Sequence, residues 1–287
     1  MINLFLRRKA RFFKSVKVSG TIISKSKKVL FAIFTRYGDT IIDLVVIKEF
    51  ISKYPKKDYL ILCPDQMLPY VNEILPDVSC INVNKRNLFQ MIKVHWALKS
   101  WRPDVGFNPW SNGLDSCYFL SYCKSYLCYK DFLSKNNINH YEVVRKYLQL
   151  KPAELKLKKA KLDSVSKLLI CPQSTDIKRS MGIEELRQAI SFFKDKHKNL
   201  IIFVAAMSKE FDVIENVNFF NFKKNKKSSQ DFICLVKNSD MVVAVDSAPL
   251  HISIALGKNT LPIFKITKQE MVLNSNSVCL DRKHYDF

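Results

Sequence analysis

The chain is short of glycine, has no long hydrophobic run and has no closely paired cysteines. Only six of its 287 residues are glycine. No apolar run approaches the roughly 20 residues that a membrane-spanning helix needs, and Arg7 and Arg8 interrupt the apolar start of the chain. Neither a transmembrane helix nor a secretory signal is therefore predicted. The eight cysteines include no CxxC pair and the five histidines are scattered, so no metal site is expected and the cysteines are interpreted as reduced cytosolic thiols.

Acidic residues are scarce as well. The 26 Asp and Glu face 47 Lys and Arg, which gives a formal net charge of +21. Such a field attracts polyanions, and the candidates are nucleic acid, anionic lipid and phosphorylated small molecules. A lysine-rich solvated surface is the alternative explanation for part of the excess.

Residues 1–27 are predicted to form a basic N-terminal extension. The first 28 residues contain nine Lys or Arg and no acid. At helical spacing, one side of residues 2–16 is largely apolar and the other largely basic. The pattern is typical of a helix that lies on an anionic membrane surface, and a core-docking helix or a disordered basic tail remain alternatives.

Strands alternate with helices along the rest of the chain, which predicts βαβ units and parallel sheets. Predicted strands lie at 28–34, 58–63, 79–83, 104–108, 167–173, 199–206, 241–246 and 259–264. Predicted helices begin near Asp39 and cover 66–75, 87–101, 182–198, 228–239 and 247–257. The lysine-rich stretch 150–167 is the best linker candidate. The prediction is an α/β protein with two Rossmann-like doubly wound domains, 28–155 and 165–287, that face a central cleft, with ligands at the carboxyl ends of the strands.

The stretch AVDSAPLHISIAL, Ala244–Leu256, predicts a buried strand that turns directly into a helix. Ser247 is a good N-cap, and Pro249 fits the first helical turn because its missing N–H is not needed there. A helix N-terminus at the carboxyl edge of a parallel sheet is a ready anion site, and His251 is expected to donate to the same anion. A capped turn with a merely packed His251 is the alternative. A serine hydrolase is disfavoured because Ser247 lacks the GxSxG context.

This stretch resembles the most diagnostic motif of glycosyltransferase family 9, the ADP-heptose:lipopolysaccharide heptosyltransferases. Asp246, Ser247, Pro249 and His251 are in register with that motif, as are Ala255, Leu256 and Gly257. TRYGDT, which contains Gly38 and Asp39, and LLICPQSTDIKRSMG, which contains Lys178 and Arg179, resemble two further family segments in the same order.

The resemblance implies a fold of GT-B type and an inverting, metal-independent transferase without a cofactor. Asp39 is the expected catalytic base for the acceptor hydroxyl. The residues expected at the nucleotide-sugar donor are Ser174, Thr175, Lys178, Arg179, Glu210, Asp246, Ser247, Ala248, Pro249 and His251. The residues expected at the acceptor are Gly38, Asn108, Trp110, Asn112 and Asp115, with a turn around a buried tryptophan as the alternative for the last four. The last segment of the chain is a candidate to pack back on the first domain.

The sequence departs from the family where glycine is expected. Ala248, Gln173 and Lys265 stand at glycine positions, and Ser180–Met181 replaces a Trp-Pro pair. Each lost glycine bears on how closely a phosphate can approach the backbone.

The resulting hypothesis is a transferase that moves heptose from ADP-heptose onto an anionic lipopolysaccharide core. It would be peripheral on the cytoplasmic face of the inner membrane, with the anionic membrane surface as a partner. A degenerate relative that binds nucleotide sugar or glycan without turnover is the alternative. A nucleic-acid-binding protein would explain the charge, but no recognised nucleic-acid motif is present, so no nucleic-acid partner is expected.

Overall fold

The computed structural model describes residues 18–111, 113–129, 132, 139–153, 158–159, 165–222, 228–274 and 277–279. The chain divides into two compact units, Met1–Pro152 and Ala153–Phe287. Each unit has its own sheet, and all strand pairings among the described residues are parallel. Among those same residues, no helix combines the length and the apolar character that a bilayer crossing requires.

The first unit has a five-stranded sheet with helices between its strands. The strands are β1 (Lys28–Ala32), β2 (Asp58–Cys63), β3 (Ser79–Asn82), β4 (Val105–Phe107) and β5 (Ser125–Leu127). The helices are α1 (Gly20–Lys25), α2 (Tyr37–Lys53), α3 (Leu68–Ile74), α4 (Leu88–Trp101), α5 (Leu114–Leu120) and α6 (His140–Tyr147). The order β3-β2-β1-β4-β5 places β1 at the centre, where its apolar residues are buried on both faces.

The second unit repeats this arrangement around a seven-stranded sheet. Its strands are β6 (Lys158–Lys159), β7 (Lys167–Cys171), β8 (Ile201–Ala206), β9 (Asn218–Asn221), β10 (Met241–Val245), β11 (Asn259–Ile263) and β12 (Val278–Cys279). Its helices are α7 (Ile183–Lys196), α8 (Ser228–Asn238) and α9 (Ala248–Ala255). The order is β6-β12-β11-β10-β7-β8-β9, so β7 and β10 are central and are flanked by β8 and β11.

Helix α2 begins at Tyr37, with Arg36 as its N-cap residue, so Asp39 is the third helical residue, close to the predicted helix start. The start of α3 differs from the sequence prediction. The predicted helix 66–75 is a 3₁₀ turn (Asp65–Met67) followed by α3. Pro69 is the second residue of α3, a position where proline costs the helix no hydrogen bond.

Part of the predicted extension and part of the predicted linker are ordered elements. Helix α1 lies within 18–27; Ser19 caps it and Ile23 is fully buried. The lysine-rich stretch contributes β6, which pairs with β12 at the edge of the second sheet. The amphipathic helix predicted for residues 2–16 and the predicted packing of the last residues lie outside the described residues.

Candidate functional site

The loops that follow β7, β8, β10 and β11 meet at one edge of the second sheet. These four strands are adjacent and parallel, so their carboxyl ends lie side by side. Ligands of doubly wound sheets bind at this edge. We call these four loops the carboxyl-edge loops of the second unit.

An ion pair joins two of these loops and unites two of the predicted donor residues. Arg179 Nη1 donates to Asp246 Oδ2 at 3.0 Å, and Thr267 Oγ1 donates to the same oxygen at 2.7 Å. The Asp176 carboxylate lies 3.7 Å from Arg179 Nε. Asp246 therefore fixes the guanidinium at the carboxyl ends of the central strands, and the remaining N–H groups of Arg179 keep the capacity to bind an anion.

The turn from β10 into α9 has the predicted course, but its serine behaves differently. Ser247 is the N-cap residue, yet its hydroxyl donates back to the carbonyl of Val245 at 3.1 Å and accepts no hydrogen bond from the helix. This corrects the expectation that the Ser247 side chain caps α9. Pro249 is the second helical residue, and His251 is buried with 5% of its surface exposed.

The loop after β7 presents the other residues predicted to meet the diphosphate. Ser174 is buried, and its backbone N–H donates to Ser180 Oγ at 2.9 Å. Thr175 and Lys178 are exposed. Lys178 lies in a 3₁₀ turn (Ile177–Arg179) that Asp176 caps by accepting from the backbone N–H of Lys178. The loop thus carries an exposed ammonium group next to the fixed guanidinium of Arg179.

Two residues that replace family glycines bind neighbouring segments of the second unit. Gln173 Oε1 accepts from the backbone N–H groups of Met207 and Ser208, at 2.7 and 3.0 Å. This contact links the loop after β7 to the 3₁₀ turn (Lys209–Val213) that carries the exposed Glu210. Lys265 Nζ forms an ion pair with Glu185 of α7 at 2.7 Å.

In the first unit, the predicted base lies one helical turn from a carboxyl group that the sequence analysis missed. Gly38 and Asp39 are in the first turn of α2, and Asp43 follows four residues later. Asp43 is fully buried, and neither carboxyl oxygen has a hydrogen-bond partner. Burial, and then the charge of Asp39, raise the pKa of Asp43 well above its ordinary range. The acid within the apolar run IIDLVV is the sequence feature from which a buried carboxyl group could have been predicted.

The predicted acceptor residue Asn108 lies in the interior of the first unit, and this corrects its assignment. It is fully buried. Its Oδ1 accepts from the backbone N–H of Tyr129 and from the hydroxyl of Tyr147, at 2.7 and 3.1 Å. Its Nδ2 donates to Ser116 Oγ and to the carbonyl of Ser111, at 2.8 and 2.9 Å. With all four hydrogen bonds made inside the unit, the amide has no capacity left for a sugar.

The neighbouring acceptor candidates have structural contacts of their own. Trp110 is half-buried and packs on His140 and Tyr129, with ring centroids 5.0 and 5.7 Å apart. Asp115 is buried and pairs with Lys85 at 2.6 Å. Asn112 lies outside the described residues.

In the part of the chain that the structure describes, no group of three His, Cys, Asp or Glu side chains is placed to hold a metal ion. The charge of a leaving diphosphate could be met there by Lys178, Arg179 and the N-terminus of α9, all at the carboxyl edge of one sheet. The ligand-binding roles of these residues, of Glu210 and of Asp39 stay predictions.

Three solved structures share the fold over most of their length. E. coli heptosyltransferase WaaC with ADP is 12% identical, with a TM-score of 0.62 over 88% of this chain and 92% of that chain. E. coli ADP-heptose LPS heptosyltransferase II is 12% identical, with a TM-score of 0.67 over 88% and 90%. A glycosyltransferase family 9 protein from Veillonella parvula DSM 2008 is 12% identical, with a TM-score of 0.66 over 90% and 86%.

Comparison with curated proteins finds no significant match. The sequence profile described as "Glycosyltransferase family 9 (heptosyltransferase)" matches residues 132–277, just over half of the 287 residues. This stretch includes the loop that carries Lys178 and Arg179 and the turn that carries Asp246 and His251. The chain therefore belongs to glycosyltransferase family 9 and has the two-domain α/β fold, of GT-B type, found in heptosyltransferases.

Proposed function

We propose that the protein moves heptose from ADP-heptose onto a lipopolysaccharide core acceptor, with inversion at the anomeric carbon and without a metal ion or cofactor. The observation that carries the proposal is the Arg179–Asp246 ion pair at the carboxyl edge of the second sheet. It joins two sequence segments that resemble the family's donor-site motifs, beside the N-terminus of α9.

In the proposed reaction Asp39 accepts the proton of the acceptor hydroxyl. The hydroxyl oxygen attacks the anomeric carbon of heptose as the bond to the diphosphate oxygen breaks, and ADP leaves. Lys178, Arg179 and the N-terminus of α9 offset the negative charge that develops on the leaving diphosphate. Ser174, Thr175, Glu210 and His251 are proposed to contact other parts of the donor.

The proposed location of the protein is the cytoplasmic face of the inner membrane, to which it would bind peripherally. The net charge of +21 supports an anionic partner, and lipopolysaccharide core and membrane both present anionic groups. Fractionation of cells into soluble and membrane pools, with and without a high-salt wash, tests this placement.

A donor screen tests the reaction itself. ADP-heptose and other nucleotide sugars are offered with a core-truncated acceptor, with and without EDTA, and product and anomeric configuration are measured. Transfer from ADP-heptose that is insensitive to EDTA is expected. Donor binding without transfer or hydrolysis would identify a degenerate relative, and activity that needs an added metal would contradict the metal-independent mechanism.

Replacement of Asp39 tests the base. Because general-base catalysis is worth about 10²- to 10⁴-fold, we expect Asp39→Asn to lower kcat by at least about 100-fold while donor affinity stays within about twofold. Asp77→Asn, at an exposed acid of the same unit, is the matched control and should retain activity. Equal rates for Asp39→Asn and the wild-type protein would remove Asp39 as the base.

A further inference from the structure

Helix α4 carries an unusual group of exposed apolar side chains. Leu88, Phe89, Ile92 and Trp96 expose between 45% and 78% of their surface. They are four of the ten large exposed apolar side chains among the described residues, so the exposure is concentrated on one element. Concentrated exposure of this kind is typical of an interaction surface.

The four side chains share one face of the helix. At about 100° per residue they fall within an arc of about 100°, while Met91, Val94 and Leu98 on the opposite side are buried in the core. We call Leu88, Phe89, Ile92 and Trp96 the exposed face of α4. The exposed face continues into a groove of about 550 Å³ beside edge strand β3, lined by Phe89 and Lys93 among others.

Basic residues flank the exposed face along the chain, and the segment that carries it contains no acid. Between Asp77 and Asp104 the chain has no acidic residue and five basic ones: Lys85, Arg86, Lys93, Lys99 and Arg102. Lys93 and Lys99 are exposed on the same side of α4 as the apolar residues. The Lys99 ammonium lies 5.3 Å from the centre of the Trp96 ring. Aromatic rings with lysines beside them match the interfacial layer of a membrane, where rings sit at headgroup depth and ammonium groups meet lipid phosphates.

We propose that the exposed face of α4 docks on the interface of an anionic lipid bilayer. The apolar side chains enter the headgroup region, and Lys93 and Lys99 bind lipid phosphates. The positive charge of this face favours an anionic bilayer over a second copy of the chain as its partner, because two copies of this basic face would repel each other. The inference deepens the proposed function, since it names the surface that brings the enzyme to a membrane-anchored acceptor.

The orientation of α4 supports docking near the acceptor. Strand β3 ends at Asn82, and α4 begins at Leu88, so Phe89 and Ile92 lie toward the carboxyl edge of the first sheet. Asp39 follows β1 at the same edge. Lipid bound along the first turns of α4 would therefore lie on the side of the first unit that holds the proposed base.

Vesicle binding by the full-length protein tests the proposal. Vesicles of phosphatidylcholine, with and without phosphatidylglycerol, are sedimented with the wild-type protein, with Phe89→Ser/Trp96→Ser and with Lys93→Gln/Lys99→Gln. We expect binding only to anionic vesicles, and a loss of about tenfold or more in the partition coefficient for each double variant. Ile201→Ser/Val213→Ser, at exposed apolar residues of the second unit, and Lys194→Gln/Lys198→Gln are matched controls that should bind as the wild-type protein does.

The fluorescence of Trp96 reports directly whether the exposed face of α4 enters the bilayer. Brominated phosphatidylcholine in the anionic vesicles should quench wild-type fluorescence, and Trp96→Phe should retain vesicle binding but lose most of this quenching. In a variant with Arg7, Arg8 and Arg11 changed to Gln, the fraction that remains bound should still show Trp96 quenching. That result would show that α4 contacts the membrane independently of the predicted N-terminal helix.

Three results would overturn the proposal: no binding of the wild-type protein to anionic vesicles, binding without quenching of Trp96, or a concentration-dependent dimer that Phe89→Ser/Trp96→Ser abolishes. Transfer to a deacylated, water-soluble acceptor should be unchanged in all α4 variants. If that transfer is missing in the wild-type protein, the proposed reaction fails, whereas the lipid-docking proposal still depends on the vesicle results.

Discussion

At residue 43 the protein buries a carboxyl group without hydrogen-bonding it. Asp43 has apolar neighbours on α2, Asp39 is one turn earlier, and the electrostatic field of Asp43 reaches Tyr129 and Tyr147. No cation among the described residues neutralises it, since the raised pKa has burial and the carboxylate of Asp39 as its only causes. The folded protein therefore holds a proton on Asp43 over a pH range in which the unfolded chain has lost it.

This difference predicts the sign of a pH effect on stability. Between the unfolded pKa of Asp, about 3.9, and the higher folded pKa, the unfolded state binds fewer protons, so stability falls by about 1.4 kcal/mol per pH unit as pH rises. Asp43→Asn lacks this loss. We expect the free energy of unfolding of Asp43→Asn, relative to the wild-type protein, to increase steadily as pH rises from about 4 toward neutrality.

Chemical denaturation at several pH values checks the prediction. The exposed acid variant Asp77→Asn should run parallel to the wild-type protein throughout. A constant difference between Asp43→Asn and the wild-type protein from acidic to neutral pH would show that Asp43 keeps an ordinary pKa in the folded state.

The positions at which the sequence departs from the family motifs also belong to the residue scale. Gln173 ties two carboxyl-edge loops together, Lys265 anchors another loop to α7, and the buried Met181 packs in the core of the second unit. Ala248 is not among the residues with positive φ, so its backbone conformation does not require glycine. At Gln173, Lys265 and Met181 the substituted side chain has acquired a structural contact of its own.

At the scale of elements, the end of helix α9 shows where the backbone conformation favours glycine. Gly257 follows the helix with φ +67°. Its N–H donates to the carbonyl of Ile254, and the N–H of Lys258 donates to that of Ser253. This pair of bonds is the Schellman ending of a helix, which requires a left-handed residue. The Gly257 retained in the family motif thus sets the direction in which the chain enters β11.

Gly257→Ala isolates the backbone cost of that ending. An added Cβ would meet nothing within 4 Å, so we expect a loss of about 1–2 kcal/mol in the free energy of unfolding from the left-handed conformation alone. Thermal and urea unfolding measure it. The control is Gly20→Ala at the first residue of α1, where φ is not positive and a Cβ would also have room; it should be neutral or slightly stabilising. Equal effects at both positions would contradict a conformational origin.

Strands and helices could be predicted where an apolar run is bounded by turn or capping residues. The position of a side chain could not be predicted where contacts with residues distant in the sequence determine it. The buried strands β2 and β10 and the helix after Ser247 follow from local pattern. The interior position of Asn108 depends on Tyr129 and Tyr147, which are 21 and 39 residues away. Likewise, the contact of Arg179 with Asp246 spans 67 residues, and only the family resemblance suggested that these two segments belong to one site.

At the scale of the whole molecule, alternation of strands and helices was sufficient to predict two parallel sheets. It could not predict that β6, in a lysine-rich stretch, completes the second sheet. The sheet architecture does not account for the net charge of +21, which belongs to the surface of the molecule. That charge acts over distances that individual contacts do not cover, and its effect depends on ionic strength because salt screens exposed charges beyond about 10 Å at 0.1 M.

The charge predicts a salt dependence specific to an anionic acceptor. Between about 50 mM and about 500 mM NaCl we expect kcat/KM for a phosphorylated core acceptor to fall by about tenfold, chiefly through KM, because screening weakens the long-range attraction. The same acceptor without its phosphates should show a much smaller change at equal donor concentration, and this comparison cancels any salt effect on the anionic donor. If both acceptors respond alike, the positive field serves donor binding or solubility, and the net charge no longer supports an anionic acceptor.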